Sequence, residues 1–218
     1  MNELALFAGA GGGILGGLLL GWRTVCAVEY DEHARNVLVA RQNDGCLEPF
    51  PIWDDVRTFD GKPWRGIVDV VSGGFPCQAS SKAAHGRNVG EKDMLPHLIR
   101  ICDEVQPSFV WLECVEKSGL HGVEMSASYV GAPHLRRRCW AIAYADSNSK
   151  SILQEYGETS SVPETCEAVW EIDPRNFRVA DGVAHRVDRL AAIGNGQVPA
   201  VVRKAWHVLC QEIGPKKE

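Results

Sequence analysis

The sequence lacks the features that mark several common classes of protein. None of its eight cysteines lies in a CxxC pair or at a spacing typical of metal ligands, which argues against a metal site. The first residues carry no basic segment of the kind that begins a secretory signal. The glycine-rich apolar run at residues 11 to 22 is too short to span a bilayer. These absences predict a cytoplasmic protein with free thiols, no metal and no membrane association.

Positive charge is also scarce, since the net charge is −5 at pH 7. A negative balance argues against a nucleic-acid partner. The basic residues are concentrated late in the chain, however, in "HLRRRCW" (134–140) and beyond residue 174, whereas the N-terminal third is acidic. This distribution is compatible with one basic cleft on a polarised surface, although a solvated charged face explains it equally simply.

Apolar, β-branched runs alternate with segments of helical spacing. Strands are predicted at "ELALF", "TVCAVEY", "GIVDVVSGG", "PSFVWLECV" and "CWAIAYA", and helices at "DEHARNVLVARQN", "DMLPHLIRICDEV" and from Pro199 onward. This alternation predicts a doubly wound α/β sheet, which binds ligands at the carboxyl ends of its strands. Residues 146 to 173 are polar and weakly periodic, which predicts a surface insertion or a small irregular subdomain.

A glycine loop, "FAGAGGG", follows the first predicted strand. The loop lacks the GxGxxG spacing of a dinucleotide site and the lysine of a Walker motif. A tight turn between strand and helix would by itself account for the glycines. The next strand ends at Glu29, where an acid can bind ribose hydroxyls. Tyr30 can stack on an adenine, and Asp55 can accept a hydrogen bond from an exocyclic amine. This set indicates a nucleoside ligand without a pyrophosphate, such as S-adenosylmethionine.

Three further segments carry groups suited to catalysis. "GGFPCQ" places Cys77 after Pro76 on a loop at a strand end, where a thiolate is a strong nucleophile. Glu113 ends the next buried strand, so it is expected near Cys77 with a pKa raised by burial, which suits protonation of a ring nitrogen. Arg136 and Arg138 share one face of an entering strand and can grip a phosphate and a carbonyl oxygen. A solvated basic edge is the alternative for the arginines.

In this order, the segments resemble the motifs of the DNA (cytosine-5)-methyltransferase family. "FAGAGGG", "VEYDEHA", "DDV", "GGFPCQ", "LECV", "APHLRRR" and "RLAAIGNGQVP" carry the resemblance, which covers nearly the whole chain except residues 146 to 173. It implies an α/β doubly wound mixed sheet of the S-adenosylmethionine-dependent methyltransferase (Rossmann-like) type, with a small irregular target-recognition region. It also implies a restriction-modification or phage-like setting and double-stranded DNA as partner.

The resemblance implies the following roles for individual residues. The target cytosine is flipped out of the helix, Cys77 attacks its C6, and Glu113 acts at N3. Arg138 holds the cytosine O2 and Arg136 the neighbouring backbone. The implied cofactor site consists of Phe7, Ala8, Gly9, Gly11, Glu29, Tyr30, Asp55, Val56, Pro76, Asn195 and Val198.

The implied organisation has three parts: a cofactor and catalytic domain (1–145), a short variable recognition region (146–180) and a returning C-terminal segment (181–218). Three departures from the family pattern stand out. Cys114 replaces an asparagine, His134 replaces a glutamine, and the segment 114–132 is too short for the usual helix and strand. We therefore expect that most of this helix is lost and that "GVEMSASYV" serves as what remains of the strand.

Three alternatives remain at this point. The same chemistry on RNA is one, because the family includes a tRNA-modifying branch. A homologue that binds cofactor or DNA without turning over is another, and the shortened segment favours it. A nicotinamide-dependent oxidoreductase is the third, disfavoured by the glycine phase.

Overall fold

The computed structural model describes residues 1–74, 94–114, 122–132, 135–144, 159–161 and 196–213. Strands β1 to β4 are Asn2–Leu6, Arg23–Val28, Ile52–Trp53 and Val70–Gly74. Strands β5 to β8 are Phe109–Cys114, Gly122–Ser126, Arg137–Tyr144 and Thr159–Ser161. Helices α1 to α4 are Gly12–Leu19, Glu32–Asn43, Leu95–Val105 and Pro199–Ile213. None of the helices within these ranges is long and apolar enough to cross a membrane.

The strands form one mixed sheet in the order β3-β2-β1-β4-β5-β7-β6-β8. The five strands from β3 to β5 in this order run parallel, whereas β7 is antiparallel to both β5 and β6. The chain moves outward from β1 to β3 and then returns to place β4 on the other side of β1. Such a reversal of strand order opens a crevice at the carboxyl ends of β1 and β4, where doubly wound sheets bind ligands. The predicted doubly wound α/β sheet is confirmed.

Two apolar layers cover the sheet and fix its register. On one face, α3 buries Leu98, Ile101 and Val105 against β1, β4 and β5. On the other face, α4 buries Val202 and Trp206, and the Trp206 ring meets Trp22, Phe109 and Trp111 edge to face. Gly16 of α1 lies directly against Val202, so only a glycine lets the two helices approach this closely. This packing carries the residues before α4 to the carboxyl end of the sheet.

In the shortened segment 114–132, the described part contains the expected strand. Strand β6 begins at Gly122, within the "GVEMSASYV" stretch, and pairs with β7. Residues 115 to 121, which join β5 to β6, lie outside the described residues. Strand β8 differs from the expectation for residues 146 to 173, because Thr159–Ser161 pairs with β6 and extends the same sheet. A strand of three short polar residues is typical of a sheet edge, but it has too few alternations to be predicted.

A buried carboxyl group lies near the amino end of β1 and gives the first testable prediction. Glu3 is 1% exposed and accepts hydrogen bonds from the hydroxyls of Thr24 (2.7 Å) and Ser72 (2.6 Å). Burial raises the pKa of Glu3 to about 7. Since the folded protein favours the protonated form, this group's contribution to stability is complete below about pH 4.5 and is lost as the pH rises through about 7.

Glu3→Gln should therefore flatten the dependence of the free energy of unfolding on pH between about 4.5 and 7. Between these pH values, the wild type should lose about 3 kcal/mol of unfolding free energy that the variant does not lose, because one unit of pKa shift corresponds to about 1.4 kcal/mol. Urea unfolding at several pH values measures it. Glu48→Gln, at an exposed position, is the matched control and should behave like the wild type. Equal slopes for Glu3→Gln and the wild type would contradict the prediction.

Candidate functional site

The glycine loop has a backbone that few residues can adopt. Phe7 has a φ of 52°, in the left-handed region that non-glycine residues rarely occupy. Gly9 (φ 54°) and Gly11 (φ 90°) continue the tight path, and Gly11 caps α1. The Ala8 N–H donates to the Val28 carbonyl at 3.2 Å, which ties the loop to the end of β2. A strained loop between β1 and α1 is typical of a ligand site.

Glu29 binds the loop from the end of the neighbouring strand. Its Oε2 accepts from the Gly9 N–H at 2.6 Å and its Oε1 from the Asp31 N–H at 2.7 Å. The residue is 9% exposed. Each carboxylate oxygen has further lone pairs, so Glu29 can also accept from the hydroxyl groups of a ligand. Glu29 thus lies at the end of β2 beside the glycine loop, where the sequence analysis placed it.

Tyr30 and Asp55 both contact a residue that the sequence analysis missed. Arg57 forms a two-pronged ion pair with Asp55, with Nη2 to Oδ2 at 2.6 Å and Nε to Oδ1 at 2.8 Å. Its guanidinium also lies over the Tyr30 ring, 5.5 Å from the centroid. The hydrogen bonds from Arg57 lower the pKa of Asp55. Val56, beside them, is buried in the apolar core.

A second group of polar residues lies where β4, β5 and β7 meet. Glu113 is 7% exposed at the carboxyl end of β5, beside Gly74 of β4, and its Oε1 pairs with Nε of Arg138 at 2.8 Å. Burial raises the pKa of Glu113, and the charges of Arg138 and Arg136 oppose that rise. Arg136 donates from Nη2 to the Gly196 carbonyl at 2.6 Å. The structure thus brings together Glu113 and both arginines, three of the residues that the sequence analysis named as catalytic candidates.

Between the loop and Glu113 lies a small cavity of about 40 Å³. The residues around it come from the glycine loop, the end of β4 and the segment before α4, and they include Phe7, Ala8, Gly9, Gly73, Gly74, Trp111, Gly196 and Gln197. Gln197 was not predicted as a site residue. Val198, which was predicted as a site residue, is partly buried against the aromatic layer under α4.

Three predicted site residues, Pro76, Cys77 and Asn195, lie outside the described residues. The described chain stops at Gly74, three positions before Cys77, and resumes at Gly196, directly after Asn195. Both of these described ends border the cavity.

The expectation of free thiols is wrong for Cys114. This residue forms a disulfide bond, whereas Cys26, Cys46, Cys102 and Cys210 have free thiols. No CxxC spacing in the sequence predicts this bond.

Comparisons with known proteins agree with this arrangement. The family model for the C-5 cytosine-specific DNA methylase matches residues 1–122. The type II methyltransferase M.Eco47II of Escherichia coli is 39% identical over 120 residues, which are 51% of this chain and 26% of that protein. The type II methyltransferase M.CviJI of Paramecium bursaria Chlorella virus IL3A is 28% identical over 226 residues, 94% of this chain and 58% of that protein.

The fold has relatives among solved structures. A crystal structure of DNMT2 from Spodoptera frugiperda superposes with a TM-score of 0.54 at 18% identity, over 76% of this chain and 56% of that one. This likeness confirms the methyltransferase-type α/β fold that was predicted. The chain spans less than two thirds of the length of these curated relatives. Because the family model matches more than half of its residues, the chain belongs to the C-5 cytosine-specific DNA methylase family.

Proposed function

We propose that the protein transfers a methyl group from S-adenosylmethionine to C5 of cytosine in double-stranded DNA, with Cys77 as nucleophile. The observation that carries the proposal is the buried Glu113 carboxyl group, held by Arg138 at the strand end next to Gly74. A carboxyl group with a raised pKa at this place can carry a proton to a ring nitrogen of a base. Membership of the family supports cytosine as that base.

In the proposed mechanism, the Cys77 thiolate adds to C6 of a cytosine flipped into the cleft. Glu113 donates a proton to N3, so the electrons displaced from the C5–C6 bond make C5 nucleophilic without leaving a negative charge on the ring. The bound cofactor supplies an electrophilic methyl group to C5. Loss of the C5 proton to a base then reforms the C5–C6 double bond and expels the Cys77 thiolate, and N3 returns its proton to Glu113.

The two arginines suit complementary tasks. Arg138 donates from Nε to Glu113 and from Nη1 to the Arg137 carbonyl, whereas its Nη2 bonds to no described residue. We assign this N–H group to the cytosine O2. Arg136 already donates one N–H to Gly196, so its proposed contact with the DNA backbone must use another. Its bond to Gly196 joins the catalytic strands to the segment before α4.

The residues around the glycine loop fit the proposed cofactor. The free lone pairs of Glu29 suit the two ribose hydroxyls, and the open backbone at Phe7 to Gly9 admits close approach of a ligand. Arg57 covers one face of Tyr30 and both oxygens of Asp55. An adenine that stacks on Tyr30 and binds Asp55 must therefore displace Arg57 or bind beside it. Pro76, Asn195 and Val198 complete the proposed site.

Glu29→Ala should weaken binding of S-adenosylhomocysteine by about 10- to 100-fold. The reason is that hydrogen bonds to a charged group contribute about 1.5–3 kcal/mol, and about 1.4 kcal/mol corresponds to a factor of ten in Kd. Isothermal titration calorimetry measures the effect. Glu32→Ala, which removes an exposed acid three positions away, is the matched control and should bind like the wild type. Equal affinities for both variants would remove Glu29 from the cofactor site.

Methyl transfer tests the proposed function directly. The purified chain is incubated with S-adenosylmethionine labelled on the methyl group and unmethylated duplex DNA of mixed sequence, with a thiol reductant because Cys114 forms a disulfide. Label on cytosine C5 of the DNA is the expected result, and unlabelled RNA should not compete. Competition by RNA would redirect the proposal to an RNA substrate. No transfer despite cofactor binding would favour a non-catalytic homologue, to which the short connection between β5 and β6 also points.

A further inference from the structure

Gln197 lies in a space that three glycines leave open. A side chain on Gly12 would collide with the Gln197 backbone. A methyl group on Gly13 would lie 2.6 Å from Oε1 of Gln197, and one on Gly74 would lie 2.6 Å from its Nε2. The collision at Gly12 is with backbone, so Gly12 excludes a side chain, whereas a side chain on Gly13 or Gly74 would force the Gln197 amide to move. The glycine loop and the end of β4 are thus shaped around Gln197.

The orientation of the Gln197 amide matches the charges at its two ends. Its oxygen points to the first turn of α1, where the first backbone N–H groups have no partner within the helix and the helix dipole is positive. Its Nε2 lies toward Glu113: the place that a methyl group on Gly74 would occupy is 2.6 Å from Nε2 and 3.0 Å from Oε2 of Glu113. The partial charges of the amide are therefore favourable at both ends.

Both facing groups still have hydrogen-bonding capacity. Arg138 occupies Oε1 of Glu113, whereas Oε2 has no hydrogen bond to a described residue. The Gln197 amide likewise makes no hydrogen bond within the described part of the chain. Among the described residues, an N–H donor without a partner thus lies beside a carboxylate oxygen without one.

We propose that Gln197 is a positioning residue, whose amide donates from Nε2 to Oε2 of Glu113 after a small rotation from the place that it has in this structure, while its oxygen faces the first turn of α1. With Arg138 on Oε1, the carboxyl group is then held from both sides. The Arg136 bond to Gly196 keeps the glutamine in place. Gln197 thereby links the glycine loop, on the cofactor side, to the carboxyl group that acts on the base. The importance of this link for catalysis rests on the proposed function, but the contact itself does not.

The contact has a measurable consequence for proton binding. The charged groups that face Glu113 in the described structure are Arg138 and Arg136, both from the β7 side; β4 offers only glycine there. A donor on Oε2 stabilises the ionised form and adds to the effect of the arginines. Its removal should raise the pKa of Glu113 beyond what burial already does.

Titration of the Glu113 carboxyl carbon by ¹³C NMR tests the proposal without any need for activity. The signal is assigned by its loss in Glu113→Gln. Gln197→Met keeps the side-chain length but removes the donor, and we expect it to raise the pKa of Glu113 by about one unit, a tenfold change in the acid dissociation constant. Gln197→Glu, which keeps the shape and adds a like charge, should raise it further. Circular dichroism checks that each variant is folded.

A pKa of Glu113 unchanged within about 0.2 units in either folded variant would overturn the proposal. If the wild type transfers methyl groups, the rate can also be measured against pH. In both variants the high-pH limb of this profile should shift to higher pH, by as many pH units as the pKa of Glu113 rises in the NMR titration. If the high-pH limb stays at the same pH as in the wild type while KM for the cofactor rises, Gln197 acts in cofactor binding alone. If the wild type transfers none, the proposed function fails, and the titration still decides the contact.

Discussion

Cys77→Ser should reduce methyl transfer by a factor on the order of 10⁴ or more and leave binding of S-adenosylhomocysteine unchanged. A serine hydroxyl is almost entirely protonated at neutral pH, whereas a thiol needs only a modest fall in its pKa to supply a thiolate. Without addition to C6, C5 of cytosine is too electron-poor to accept the methyl group. Transfer of labelled methyl groups and calorimetry measure the two effects separately.

Cys46→Ser is the matched control for this prediction. Cys46 is a free, exposed cysteine after α2, so its replacement makes the same chemical change away from the site. It should transfer methyl groups at the wild-type rate. Normal transfer by Cys77→Ser would contradict the covalent mechanism, and equal losses in both variants would point to general damage by thiol replacement.

Glu113→Gln should lower kcat by about 10²- to 10⁴-fold, the usual contribution of a positioned acid. An amide cannot give a proton to N3, so negative charge would build up on the ring as Cys77 adds. In the wild type, kcat should fall as the pH rises through the pKa of Glu113, which burial has raised above its usual range. Methyl transfer measured across pH 5 to 9 gives both results.

Glu124→Gln supplies the control for Glu113→Gln. Glu124 lies on β6 and approaches Arg137 of β7 at 3.8 Å, so its replacement also weakens a carboxylate–arginine pair in the same sheet. It lies outside the cluster around Glu113 and should leave kcat nearly unchanged. A comparable loss of activity in both variants would mean that Glu113 acts only through the stability of the sheet.

The sequence predicted those parts of the fold that depend on local patterns. The alternation of apolar runs with helical spacing predicted the strands and helices of the parallel half. Asp31 caps α2 by accepting from the Ala34 N–H at 2.7 Å. The places of Glu29 and Glu113 were predictable because each lies at the end of a buried strand, and strand ends of a parallel sheet share one edge.

The features that the sequence did not reveal depend on contacts between distant segments. Arg57 reaches Tyr30 across the gap between two strand ends, and no pattern near residue 57 indicates this. Gln197 is recognisable only when α4 packs on α1 and carries it into the space left by Gly13 and Gly74.

The most direct test of the central claim is to trap the covalent complex on duplex DNA containing 5-fluorocytosine. With fluorine at C5, no proton can leave after methylation, so the Cys77–C6 bond should persist. Mass spectrometry of the digested complex in the presence of S-adenosylmethionine should then find the methylated base attached to the peptide that contains Cys77, and no adduct with Cys77→Ser. Methylation of ordinary cytosine without any trapped adduct, or an adduct at another residue, would contradict the account.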